Sequence, residues 1–147
     1  MVEVYPILTP YMKLLINDKS TISNIQREFN NEFPFLRIEF FKKMHKPGEG
    51  LSKNVMYNSD MVIGDIRSNH LSGELQIDGD IKVSELEDRM AKEFGLSIQI
   101  FRKSGNVWLE TTRTDSWTLK QQNEEGESLQ SHIDGESKGD YDYHEQE

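Results

Sequence analysis

The chain contains no cysteine, which excludes a disulfide framework and any thiolate site and fits a reducing, cytoplasmic compartment. Proline is scarce as well, and two of the four, Pro6 and Pro10, interrupt the N-terminal stretch MVEVYPILTP. That stretch has neither a basic region nor an apolar run of signal length, so no signal peptide is expected. Long hydrophobic runs are missing throughout. Nothing approaches the roughly 18 to 20 apolar residues of a membrane helix, and no membrane partner is expected.

A basic excess is also absent. The formal charge is −9, and nine of the 26 acids (Glu124, Glu125, Glu127, Asp134, Glu136, Asp140, Asp142, Glu145, Glu147) fall after residue 120 against Lys138 alone. The remaining 17 acids and 16 bases leave residues 1–120 almost neutral. This balance argues against a nucleic-acid partner. The acidic segment 123–147 has no periodicity and too little apolar area to offset ordering entropy, so a disordered tail is expected there.

Chemistry-bearing constellations are the last absence. The four histidines, His45, His70, His132 and His144, include no i, i+4 pair, so no metal site and no cofactor are expected. No nucleophile stands beside a base, and no carboxylate pair has a reason to titrate apart. Glu85, Glu87, Asp88 and Glu93 read as the solvated face of a helix. No catalytic residue is assigned, and the chain is not expected to be an enzyme.

What the sequence does contain is a duplication. Thr21 to Lys43 and Lys82 to Lys103 match at an offset of 61, with Ile22, Ile25, Phe29 and Phe33 falling on Val83, Leu86, Met90 and Phe94. Both sets step i, i+3, i+7, i+11, one stripe of a helix. Ser23-x-x-Gln26 and Ser84-x-x-Glu87 fit capping boxes, with Thr21 an alternative cap for the first helix. Pro34 and Gly95 stop the two helices by different means, exclusion of further helix and a left-handed cap.

Strands flank each helix. KLLIN (13–17) matches ELQID (74–78) with Leu14 and Ile16 on Leu75 and Ile77, and after the helices Leu36, Ile38 and Phe40 alternate like Leu96, Ile98 and Ile100 at an offset of 60. Ser104-Gly105-Asn106 is short enough for a tight hairpin. Its counterpart Ser52-Lys53-Asn54, at an offset of 52, follows eight extra residues, Met44 to Leu51. Val62–Ile66 and Trp117–Gln121 are short strands or helical turns. The expected organisation is one α+β domain, residues 1–122, made of halves 11–67 and 72–121, each a βαββ unit.

The run FGLSIQIFRKSGNVWLETTRTDSWTLKQQN (94–123) resembles a group of small bacterial proteins of Bacteroidetes type to which no activity is attached. The resemblance implies a cytoplasmic bacterial protein and transfers no functional residues. The doubled order is similar to ferredoxin-like sandwiches, with two helices on one face of a mainly antiparallel sheet; two ubiquitin-like halves are the rival arrangement. Fold analogy of this kind carries no function.

Two candidate sites follow. If Ile38, Phe40, Ile98 and Ile100 face the helices, alternation sends Phe41, Phe101 and Trp108 to the opposite face beside Arg37 and Gln99. Left open, that face is an interaction surface. The alternative, in which the N-terminal arm, residues 54–71 or Trp117 cover the rings in a second small core, has equal standing. The inserted loop, with His45, Lys46 and Lys53, is the second candidate. It departs from a phosphate-binding loop, since Gly48-Glu49-Gly50 places a carboxylate at its centre and a strand after it.

The leading expectation is a non-enzymatic protein-interaction module that docks a protein partner or its own copy through the aromatic face or a sheet edge. A small-ligand sensor, binding an anion or nucleotide at the 44–53 loop, is the alternative.

Overall fold

The computed structural model describes residues 11–42 and 55–137. In chain order the elements are β1 (Tyr11–Ile16), α1 (Ile22–Glu32), β2 (Leu36–Phe41), β3 (Gly73–Asp78), α2 (Val83–Phe94), β4 (Ser97–Ser104), β5 (Val107–Glu110) and α3 (Leu119–Ser137). Short 3-10 turns occupy Ile63–Asp65 and Thr112–Thr114. The class is α+β, and the described residues form three helices and antiparallel strand pairs, an arrangement compatible with a two-layer sandwich. The strands do not form one sheet as expected. Among the described residues β1 pairs with β3 alone, and a separate sheet runs β2-β4-β5.

The helical stripes face inward as their spacing requires. Ile22, Ile25, Phe29 and Phe33 on one side and Val83, Leu86, Met90 and Phe94 on the other are all buried. They meet Leu14, Ile16, Leu75 and Ile77 from the first sheet and Leu36, Ile38, Phe40, Ile98 and Ile100 from the second. Each fully buried side chain of this size stabilises by about 1.5–3 kcal/mol, which is why the period of the pattern dictates the fold. The register sets Leu14 opposite Leu75 and Glu39 opposite Gln99.

Helix starts differ in detail from expectation. Thr21 caps α1, its hydroxyl accepting the Asn24 N–H at 3.1 Å. α2 begins two residues before the expected box: Lys82 is the cap, and its N–H donates to Glu85 Oε1 at 2.9 Å. The serines are not needed as caps because crossing segments supply acceptors. Ile22 and Ser23 donate to the Met61 and Ser59 carbonyls, and Val83 and Ser84 to those of Trp117 and Asp115. These satisfy the orphan amides of each first turn. At the other end Gly95, at φ 67°, closes α2, with the Leu96 N–H bonded to the Met90 carbonyl. Only glycine adopts that conformation without strain.

α3 overturns the expectation of disorder from residue 123, because the chain is helical to Ser137. It packs against β4 and β2. Leu119 and Gln122 are fully buried, Asn123 Oδ1 accepts the Phe35 N–H at 2.8 Å, and a Cβ at Gly126 would lie 2.7 Å from that of Phe35. The docking face thus mixes Leu119 with polar and small residues, of which Asn123 and Gln122 satisfy the Phe35 N–H and the Arg102 guanidinium. Residues 138–147 lie outside the described residues. No helix among the described residues is long and apolar enough to cross a membrane.

Candidate functional site

The two outer edges of the β2-β4-β5 sheet are treated differently. On β2, the Leu36, Ile38 and Phe40 carbonyls point away from β4. α1 closes the first two through its i, i+4 amides: Asn30 Nδ2 donates to Leu36 O at 2.9 Å, and Gln26 Nε2 to Ile38 O at 2.8 Å. The Tyr57 N–H closes the third at 2.8 Å. On β5 no such cover is found among the described residues.

The hairpin sets the geometry of that open edge. Gly105, at φ 63°, and Asn106 form a two-residue loop that places Ser104 opposite Val107. The residues closing such a loop exchange their hydrogen bonds, so Val107 and Leu109 turn their peptide groups toward β4. The β2 edge gives the same answer independently. If residues 36, 38 and 40 bond outward, residues 37, 39 and 41 bond to β4 partners 101, 99 and 97, and the even positions of β4 serve β5. Trp108 and Glu110 therefore direct N–H and C=O away from the sheet. Their neighbours Val107 and Leu109 are 54% and 42% exposed.

The Trp108 side chain lies on the sheet face that also carries Arg37, Phe101 and Lys103. The Arg37 guanidinium stands 5.8 Å from the Trp108 ring centroid, a cation–π contact. Its Nε is held 2.7 Å from Glu39 Oε2, and Glu39 Oε1 accepts from Gln26 Nε2 at 3.0 Å. This chain of contacts, from α1 through Glu39 to Arg37, fixes the cation above the ring.

Of the five residues expected on this face, Arg37 is exposed and Phe101 and Trp108 are half-buried. Phe41 and Gln99 are only 3% and 4% exposed and form no part of an open surface. Phe41 is bridged by Met56 on the neighbouring segment, and Gln99 Nε2 turns onto the Ile100 carbonyl at 3.2 Å. The expected loop residues His45, Lys46 and Lys53 lie outside the described residues.

No family model, curated protein or solved structure matches the chain.

Three further groups escaped the sequence reading. Asp18 Oδ1 accepts from Arg67 Nη2 at 2.9 Å and Nε at 3.2 Å, while Oδ2 lies 2.8 Å from His70 Nδ1. The Arg67 side chain is wholly buried and also donates to Phe94 O at 3.0 Å. The arginine bonds hold the Asp18 carboxyl below the usual range, against burial and with help from His70. The cluster ties the turn after β1 to the end of α2, and no nucleophile among the described residues is bonded to His70.

Glu87 is not on the solvated face of α2. Burial, reinforced by the Asp115 charge, pushes its carboxyl up to about 7, and Oε2 has no hydrogen-bond partner among the described residues. It is enclosed because the 115–117 segment crosses the first turn of α2.

Finally, Trp117, Gln121, Glu124, Glu125 and Ser128 line an open cleft of about 380 Å³ along α3. Arg102 stacks on the same Trp117 ring at 5.7 Å and is anchored to Gln122 Oε1 at 2.7 Å. The open cleft has no buried polar group directed into it, so the β5 edge remains the better site.

Proposed function

We propose that the protein is a non-enzymatic interaction module that takes up an extended strand along the outer edge of β5. One observation carries the reading: the outward peptide groups of Trp108 and Glu110 are unpaired among the described residues, in a strand whose Val107 and Leu109 side chains stand in solvent. Folded proteins usually blunt such an edge, as this one does on β2. Strand addition draws affinity from main-chain hydrogen bonds and selectivity from the flanking side chains. Here the selecting groups are Trp108, Phe101 and Arg37 on one face and Val107 and Leu109 on the other.

We also infer that residues 11–67 and 72–121 descend from one βαββ unit. Supporting this, residues matched at offsets of 61 and 60 face each other across the ladders, Leu14 on Leu75 and Glu39 on Gln99, as a two-fold axis demands. The bridges Phe41 to Met56 and Phe101 to Glu110 put the second hairpin strands at an offset of 54 instead of 52. On this reading β5 is the copy whose edge is left free.

The test is selection of extended peptides from an unbiased displayed library. Peptides retained by the native chain should be lost on Val107→Lys with Leu109→Lys, while thermal unfolding stays unchanged. Retention by the double variant would remove β5 as the docking strand.

A further inference from the structure

We propose that the strand received by β5 is the β5 of a second copy, so that two chains join antiparallel sheets into one of six strands. This rests on the reading of β5 as a docking edge and names its occupant. Trp108 and Glu110 are the two residues whose peptide groups face outward, and a two-fold axis between the Leu109 residues of the two chains would pair Trp108 of each with Glu110 of the other. Both outward residues of both chains are then used.

The side chains agree with that register. Within one chain, Lys103 lies directly opposite Trp108, and Phe101 opposite Glu110 and Arg37. Across the junction, one row of the shared face would read Lys103, Trp108, then Glu110, Phe101 and Arg37 of the second copy. The Glu110 carboxylate would arrive beside a ring already overlaid by Arg37 and flanked by Lys103, and among the described residues the Arg37 guanidinium is tied to Glu39 through its Nε. Each chain supplies an acid and receives one, so the edge complements itself. The opposite face would set the exposed Leu109 side chains against each other. Shifting the axis by one residue toward the C-terminus would oppose the two Glu110 carboxylates, which like-charge repulsion disfavours.

Sedimentation equilibrium of the full chain tests the proposal. The native chain should dimerise, and Glu110→Lys and Lys103→Glu should each weaken self-association by at least about tenfold, because each reversal acts twice per dimer. Mixing the two variants should restore association as a heterodimer, since each junction then again joins opposite charges. That recovery also excludes misfolding as the cause of the loss. A chain that stays monomeric at all concentrations, or a dimer indifferent to the reversals, would overturn the proposal. In either case, displayed peptides that still require Val107 and Leu109 would leave the docking edge standing with a different occupant.

Discussion

Asn123 Oδ1 accepts the backbone N–H of Phe35 at 2.8 Å across 88 positions of sequence. This bond joins α3 to the start of β2 and satisfies an amide that the strand ladder does not use. Asn123→Ala should cost about 1–2 kcal/mol in urea unfolding, the loss expected when a shielded donor is left unpaired. It should also speed amide exchange through α3. A variant as stable as the native chain would mean that α3 is not docked there.

Two glycines of α3 should respond with opposite signs. A Cβ at Gly126 would meet the Phe35 Cβ at 2.7 Å and the Lys103 carbonyl at 3.3 Å, whereas one at Gly135 meets nothing within 4 Å. Gly126→Ala should destabilise by about 1–3 kcal/mol through overpacking. Gly135→Ala should increase helicity and stabilise by up to about 1 kcal/mol through propensity alone. Circular dichroism with thermal unfolding separates them, and equal shifts would contradict the packing.

These residues also show why α3 was not legible beforehand. The inward stripes of α1 and α2 are written in Ile, Val, Leu, Met and Phe, and period alone reveals them. Leu119, Gln122, Gly126, Leu129 and Ile133 keep steps of three and four, but Gln122 and Gly126 carry no hydrophobic signal. Alternation assigned Phe41 and Gln99 to the correct face of the sheet, yet it cannot say that Met56 bridges one and that the other turns onto the backbone. Burial of Arg67 and Glu87 depends on crossing segments, 62–70 and 115–117, whose paths no local pattern encodes. The hairpin at Gly105 was legible, and with it the position of β5.

Glu87 should make the fold less stable as pH rises. Its folded pKa, pushed up to about 7, lies above the usual carboxyl value of 4.5. The unfolded chain therefore loses this proton first, and stability falls between those two values. Glu87→Gln removes the penalty and restores a donor like that of Gln26, its counterpart in the first half. The variant should exceed the native chain by about 1–3 kcal/mol at pH 8 and differ little at pH 4. An equal difference at both pH values would show that the carboxyl is not shielded.

The Asp18 cluster should act at the acid end. Because the folded pKa of Asp18 is lowered, the stability it confers is present above the unfolded value and disappears as pH falls through the folded one. Asp18→Asn should flatten the acid limb of the unfolding curve. Arg67→Ala should cost about 2 kcal/mol near neutrality, because the Phe94 carbonyl loses its donor. An acid limb identical in Asp18→Asn and the native chain would contradict this assignment.

Residue-resolved hydrogen exchange at Trp108 and Glu110 tests the account most directly, because those two amides define the open edge of β5. In the dilute free chain both should exchange rapidly while the inward Leu109 amide is protected, and at high concentration or with a selected peptide both should slow by at least about tenfold. Trp108 and Glu110 amides already protected in the dilute chain, or unchanged while other strands gain protection, would contradict the account.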